Sequence, residues 1–150
     1  MKRILVALTG LVLSTNVYSM AGKSNACVDV TVSEVSQLFE RWNGSLQTLK
    51  PKEVVKNYAK DAVLLPTVSN TPRTNHKLIE DYFEMFLKKR PAGVIDERTV
   101  RIGCNTASDV GIYTFTLNGT DKVRARYSFN YEHINGEWLI THHHSSAMPE

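Results

Sequence analysis

The sequence has few cysteines, no apolar run long enough to cross a bilayer, and almost no excess charge. Its two cysteines stand far apart, at positions 27 and 104, which excludes a Cys-x-x-Cys redox motif, and two cysteines alone do not make a zinc site. A transmembrane helix needs about 20 apolar residues, and the run Ile4–Leu13 is much shorter. The formal net charge of +3 falls to +1 without Lys2 and Arg3. Such a small surplus argues against nucleic acid as a partner.

The first 21 residues have the order of a secretory signal peptide. Lys2 and Arg3 precede the apolar run, and the small residues Ser19, Ala21 and Gly22 follow it. We expect cleavage after Ala21, with Ser19 as the other fitting site. The protein should then be exported, periplasmic or extracellular, and not held by a membrane after cleavage. Residues 28–150 have the length of one domain and contain no internal repeat or linker.

The position of Cys27 decides between two export routes. It follows the polar stretch KSNA rather than an apolar run, so a lipid anchor on this cysteine is not expected. An oxidising compartment permits disulfides, and with two cysteines only one pairing is possible. We therefore predict a bond between Cys27 and Cys104, with two buried thiols as the alternative.

Three segments of the first half have helical spacing. Residues 32–49 repeat apolar side chains at steps of three and four. Residues 50–62 predict a second, short helix with Pro51 in its first turn. Residues 75–90 predict a third helix, which ends before a proline and a glycine. A short strand, residues 62–67, lies between the second and third helices.

In the second half the apolar period changes to two. Residues 93–104, 110–117, 122–134 and 137–147 predict about four antiparallel strands. The Asn-Gly pair at 135–136 is the strongest hairpin signal among them. Because the helices must bury their apolar faces against one face of this sheet, we predict an α+β fold. It is a cone of three N-terminal helices packed on a curved, mostly antiparallel sheet, with a cavity at its open end.

Four stretches carry a family resemblance: NYAKDAVLLPT, TNHKLIEDYFEMFLKKRPAG, DERTVRIGCNTASDVGIYTF and RARYSFNYEHINGEWLITHHHSSAMPE. They resemble a bacterial family of the nuclear transport factor two-like superfamily, also grouped with SnoaL-like and SgcJ/EcaC proteins. That family is related to the association domain of calcium/calmodulin-dependent protein kinase II. The resemblance covers about residues 28–150 and is most specific at HHHSSAMP. It implies the cone fold, a pocket and self-association as a homodimer or larger ring, but no reaction.

Enzymes of the ketosteroid isomerase type share the cone, and YAKDAVLLPT resembles the start of their first strand. Their chemistry needs a carboxylate base and opposing acid donors. Those isomerases place the base just before the proline of this strand, where this chain has Leu65 before Pro66. Tyr58 remains as a candidate donor in the pocket, while Asp61 is more typical of a turn or cap.

Three consecutive histidines stand in the last predicted strand. Alternation puts His142 and His144 on one face and His143 on the other. A zinc site needs a third protein ligand, and residues 132–133 offer the only nearby candidates. We therefore predict that His142 and His144 belong to the mouth of the cone, beside Ser145, and expect neither a metal site nor a cofactor. Hydrogen bonding across the sheet is the plainer alternative.

Arginines on the predicted strands bear on the class of ligand. An arginine in a cavity would favour a carboxylate, so Arg101 and Arg126 are candidate pocket residues, with solvated strand edges as the alternative. The association-domain relatives have an arginine-lined pocket that accepts small carboxylates. Two of those arginine positions fall near Phe115 and Phe129 in this sequence, and a third near Ser145. The chain departs from that pattern, and an apolar ligand competes with a small carboxylate.

Two functions compete at this point. The first is an exported domain that binds a small ligand in the cone and self-associates through its sheet. The second is a small isomerase or cyclase-type enzyme that acts on a hydrophobic carbonyl compound with Tyr58 and a histidine. They differ in whether an acid or base with a perturbed environment lies inside the cavity.

Overall fold

The structure is a computed structural model that describes residues 26–149, so the signal peptide predicted for residues 1–21 lies outside the described residues. The elements follow one another as α1 (Val32–Leu46), α2 (Pro51–Val55), β1 (Tyr58–Leu65), α3 (His76–Phe86), a short 3-10 turn (Leu87–Lys89), β2 (Ala92–Gly103), β3 (Thr106–Leu117), β4 (Asp121–Ile134) and β5 (Glu137–Ala147). Three helices therefore precede four long strands, in the predicted order. Within residues 26–149, no helix is both long and apolar enough to cross a membrane.

The five strands form one sheet in the order β1-β5-β4-β3-β2. Strands β2 to β5 are a meander of antiparallel neighbours, and β1 joins the edge of β5 in parallel. The mostly antiparallel α+β architecture is therefore confirmed. Because β1 covers the outer edge of β5, the strand that carries the three histidines lies inside the sheet.

Helix α1 supplies the centre of the core. A capping box fixes its start, since the Thr31 side chain accepts from the Glu34 backbone while the Glu34 carboxylate accepts from the Thr31 backbone. The buried residues Val35, Phe39, Trp42 and Leu46 recur at helical spacing along the face that meets the sheet.

Helix α2 is much shorter than the predicted segment 50–62. The Asn57 side chain donates to the Val54 carbonyl at 3.0 Å, and the Asn57 carbonyl accepts from the Ile140 backbone at 2.8 Å. The chain then enters β1 at Tyr58, which pairs with Ile140. The sequence keeps helical spacing beyond Val55, but the pairing of Tyr58 with Ile140 of β5 ends the helix earlier.

The loop between β2 and β3 is also tighter than predicted. The predicted strands 93–104 and 110–117 leave residues 105–109 as their connection, but β3 begins at Thr106 and only Cys104 and Asn105 separate the two strands. Asn105 has a φ of 57°, in the left-handed region that asparagine tolerates well. The turn therefore needs only two residues, and Asp109 lies within a strand.

The predicted disulfide is confirmed. Cys27 and Cys104 are bonded, with their Cα atoms 4.8 Å apart and 77 positions apart in sequence. The Asn105 side chain supports the same junction by accepting from the Val28 backbone at 2.8 Å. The bond fastens the segment before α1 to the β2–β3 turn.

Candidate functional site

A cavity of about 140 Å³ opens between α3, the segment after β1 and the inner, helix-facing side of the sheet. Its wall is mostly apolar and aromatic: Trp42, Leu64, Pro66, Val68, Tyr82, Phe83, Phe86, Tyr113, Phe115, Leu117, Val123 and Ala125. Its polar lining residues are Thr67, Lys89, His143 and Ser145. We call this the cone cavity; its volume suits a ligand about the size of one aromatic ring.

Helix α3 provides one aromatic wall of the cone cavity. Tyr82 and Phe86 are one helical turn apart and stack with their ring centroids 5.7 Å apart. Phe86 meets Phe115 of β3 edge to face at 5.6 Å, a preferred geometry for aromatic pairs. These contacts set the position of α3 relative to the sheet.

A cluster of hydroxyl groups lies on the sheet side of the cavity. The Tyr113 hydroxyl donates to Ser145 Oγ at 2.5 Å, and Thr67 Oγ1 lies 2.6 Å from the same atom. Burial raises the pKa of Tyr113 well above its ordinary value and raises the pKa of Tyr82 to about 12. Both phenols are therefore protonated, neutral groups at neutral pH.

Beside these hydroxyls, a chain of three side chains runs from α1 to β5. Trp42 Nε1 donates to the Tyr58 hydroxyl at 3.0 Å, and that hydroxyl lies 2.8 Å from His143 Nδ1. The His143 ring stacks on Phe129 with centroids 4.0 Å apart and meets Trp42 edge to face. Its other nitrogen, Nε2, is buried and has no hydrogen-bond partner among residues 26–149.

Burial also determines the charge of these three linked side chains. Burial lowers the pKa of His143 to about 3, with smaller contributions in the same direction from His142 and His144. Burial also raises the pKa of Tyr58 well above its ordinary value. The three linked side chains are therefore uncharged at neutral pH.

The histidines are arranged differently from the prediction. His142 and His144 do share a face, but it is the outer face of the sheet, opposite Asn130 and Ser128 of β4; His143 is the one that lines the cone cavity. Thr141 is an extra residue in β5 where the pairing with β4 shifts register. Such a bulge reverses the alternation downstream of it, so His143 turns inward with Ile140.

The other predicted site residues divide between the two faces of the sheet. Tyr58 and Ser145 lie on the cavity side, as described above. Arg126 lies on the outer face, where its side chain donates to Ser146 Oγ and to the Ala147 carbonyl, each at 3.2 Å. Arg101 is exposed beside a shallow outer groove that Asn130 also lines. A binding role for any of these side chains stays a prediction.

One buried ion pair was not predicted from the sequence. Asp109 is fully buried and accepts from the Tyr127 hydroxyl at 2.8 Å and from Arg98 Nε at 3.2 Å. Arg98 Nη2 lies 3.1 Å from the second carboxylate oxygen, although the two atoms are misaligned for a hydrogen bond. None of these three residues lines the cone cavity. In the described part of the chain, no three His, Cys, Asp or Glu side chains are grouped so that they could hold a metal ion.

The comparison with known families agrees with this architecture. The calcium/calmodulin dependent protein kinase II association domain matches residues 31–149. The chain belongs to this family. The resemblance drawn from the sequence is thereby confirmed. No curated protein matches the chain.

Solved structures support the same assignment. A candidate calcium/calmodulin dependent protein kinase II association domain from Xanthomonas campestris is 54% identical, with a TM-score of 0.78 over 81% of this chain and 91% of that one. An NTF2-like protein of unknown function from Pseudomonas putida KT2440 is 20% identical (TM-score 0.70, 79% and 87% covered). A candidate aromatic ring hydroxylase from Novosphingobium aromaticivorans is 19% identical (TM-score 0.65, 81% and 94% covered). The last two show a shared fold only.

Proposed function

We propose that this association-domain protein binds a small, largely apolar ligand in the cone cavity and self-associates through the outer face of its sheet. The cavity itself is the observation that carries the proposal. It joins a continuous aromatic wall to a few convergent polar groups, His143 and Ser145 among them. This combination is typical of sites for small molecules, in which the apolar wall contributes affinity and the polar groups orient the ligand.

The alternative, an isomerase-like enzyme, receives less support from the same cavity. Acid–base chemistry at a carbon acid needs a base within reach of the substrate. None of the described residues that line the cavity is a carboxylate, and Asp61 is exposed. The Tyr58 hydroxyl already contacts Trp42 and His143. These observations favour binding over catalysis.

Export forms part of the proposal. The Cys27–Cys104 disulfide is of a kind that persists in oxidising compartments such as the periplasm. The basic start and apolar run of the first 21 residues point the same way.

Narrowing the cavity mouth should weaken ligand binding. Val123 lines the cavity and is 40% exposed, whereas Val94 is 63% exposed and does not line it. We expect Val123→Trp to weaken the binding of fluorobenzene, followed by fluorine NMR, at least tenfold, because the indole occupies the space at the mouth. Val94→Trp is the matched control and should bind like the wild type. A wild type that binds no fluorobenzene, or equal binding in both variants, would contradict the proposed site.

Self-association is supported by the family and by the outer face of the sheet. Val63 and Leu65 of β1 and Val110 and Ile112 of β3 lie on this face, partly exposed. Their strand neighbours include His142, His144 and Glu97. Partly exposed aliphatic residues on a broad sheet are suited to pairing with a second copy of the chain. The outer face would then be covered in the assembly, while the cavity mouth lies on the other side.

Introducing a charge on the outer face should separate the subunits. We expect wild-type protein to be at least dimeric at micromolar concentration in light scattering. Val110→Lys should weaken self-association at least tenfold, because a lysine would be buried without a partner charge. Met85→Lys, on the exposed side of α3, is the control and should keep the wild-type mass. A monomeric wild type would refute this part of the proposal.

A further inference from the structure

His143 leaves one unused hydrogen-bonding group at the cavity. The side chain is only 3% exposed, and its ring lines the cone cavity. Nδ1 is directed to Tyr58, which is not a lining residue, whereas Nε2 has no partner in the described part of the chain. A buried polar group without a partner is costly. Nε2 is therefore the ring nitrogen that still lacks a partner, in a side chain that lines the cone cavity.

The hydrogen-bond chain determines what Nε2 offers. A tyrosine hydroxyl has one proton to donate and can also accept. The Tyr58 hydroxyl accepts from Trp42 Nε1 and has only His143 Nδ1 as its other described partner. Its own proton is satisfied only if it is donated to Nδ1. The neutral imidazole then carries its proton on Nε2, which makes Nε2 a donor in need of an acceptor.

The neighbouring hydroxyls are bonded to one another and leave one proton over. Tyr113 donates to Ser145, and Ser145 is also bonded to Thr67. These two bonds use two of the three hydroxyl protons, and the third belongs to Ser145 or to Thr67, of which Thr67 is exposed. Lys89, the one charged residue among the described lining residues, is exposed. The inner part of the cavity thus offers neutral donors and, within residues 26–149, no cation.

We propose that the cone cavity selects an uncharged aromatic carbonyl compound whose oxygen accepts a hydrogen bond from His143 Nε2. The aromatic body matches the wall formed by Trp42, Phe83, Phe86 and Phe115. A carboxylate in the same position would be buried without a counterion, which is unfavourable. Because burial holds the pKa of His143 far below neutrality, the imidazole does not become that counterion. This inference rests on the proposed ligand-binding function and deepens it.

Three fluorinated probes of nearly equal shape test the inference by fluorine NMR titration. They are para-fluoroacetophenone, para-fluoro-α-methylstyrene, which replaces the carbonyl oxygen with a methylene group, and para-fluorobenzoate. We expect the wild type to bind the ketone about tenfold more tightly than the styrene, the effect of one buried hydrogen bond. The benzoate should bind most weakly.

Variants assign the preference to His143. In His143→Phe the ketone and the styrene should bind alike, because the donor is gone while the ring shape is largely kept. His133→Phe changes a histidine that packs on Trp138 and does not line the cone cavity, and it should preserve the tenfold preference. If a folded His143→Phe protein still preferred the ketone, or if the wild type bound both neutral probes equally, the inference would be overturned.

Other outcomes separate this inference from the function on which it rests. If the benzoate bound most tightly, an uncharged ligand would be excluded while a ligand-binding cavity would stand. If neither neutral probe bound, the proposed function would fail as well. Should His143→Phe not fold, nitrogen NMR of the wild-type histidine rings decides the question. We expect His143 to be protonated on Nε2 and this nitrogen to shift when the ketone saturates the protein; a bound ketone without that shift would overturn the inference.

Discussion

Lowering the pH from 7 to 4 is expected to reduce the free energy of unfolding by about 3 kcal/mol through His143 alone. Burial lowers the pKa of this side chain from 6.5 to about 3 in the folded protein. Below pH 6.5 the unfolded chain binds a proton that the folded chain does not, so acid favours unfolding. The loss should begin near pH 6.5, grow by about 1.4 kcal/mol for each pH unit, and level off near pH 3.

Urea unfolding of His143→Gln and wild type over this pH range isolates the effect. Glutamine can still accept from Tyr58 through its amide oxygen but does not become charged. The difference in unfolding free energy between the two proteins should move in favour of the variant by about 3 kcal/mol between pH 7 and pH 4. His144→Gln retains His143 and serves as the control. Its free energy of unfolding should fall with pH in the same way as that of the wild type. Parallel pH curves for wild type and His143→Gln would show that the buried imidazole is protonated as readily as a free one.

The sequence was informative where local spacing and core packing agree. The apolar residues of α1 occur at helical spacing, and the structure buries them on one face. The four long strands alternate with period two and pair as consecutive antiparallel neighbours. In both cases the pattern is repeated over many residues, so one exception does not change the result. The disulfide was predictable for a different reason, since two cysteines allow only one pairing.

The orientation of the histidines could not be obtained from alternation alone. A period-two reading that starts at Ile140 places His142 and His144 inward. The extra residue Thr141 reverses this, and a bulge depends on the register with β4 rather than on any local pattern. The single additional residue therefore places His142 and His144 on the outer face. It also moves His143 from a surface position to the wall of the cavity.

The cavity wall was likewise hidden within an ordinary helical pattern. Tyr82, Phe83 and Phe86 have the spacing of core residues, and they do contact the core. They also line a cavity because α3 and the sheet do not close completely over Phe115. Spacing tells which side chains turn inward but not whether the space between them is filled, which depends on the separation of the two layers.

The Asp109 carboxylate should be among the most sensitive single positions in the fold. We expect Asp109→Ala to reduce the free energy of unfolding by roughly 3 to 5 kcal/mol, the usual cost of breaking a buried ion pair by removing one partner. The substitution leaves the Arg98 guanidinium, whose side chain is only 22% exposed, without the carboxylate that lies 3.1 Å away. It also removes the acceptor of the Tyr127 hydroxyl. Arg98 keeps its contact with the Phe39 ring, 5.8 Å from the guanidinium carbon, but that contact does not replace a counterion.

A second aspartate of the sheet provides the matched control. Asp96 also faces an arginine, Arg124, at 3.5 Å, but both side chains are partly exposed. Asp96→Ala should therefore cost less than about 1 kcal/mol, as is usual for ion pairs in contact with water. Chemical denaturation at pH 7 measures both variants under the same conditions. Equal losses for the two substitutions would contradict a special role for the buried pair.

The double variant separates the loss of the pair from the cost of stranding a charge. If the damage in Asp109→Ala comes mainly from the unpaired guanidinium, then replacing Arg98 with methionine in the same protein should recover part of the stability. Methionine keeps an unbranched apolar chain over Phe39 and needs no counterion. We expect Arg98→Met with Asp109→Ala to be more stable than Asp109→Ala alone, even though it carries one more substitution. Simple additivity of the two single losses would instead mean that the two side chains contribute independently, and that the close approach of Arg98 to Asp109 has little effect on the folded state.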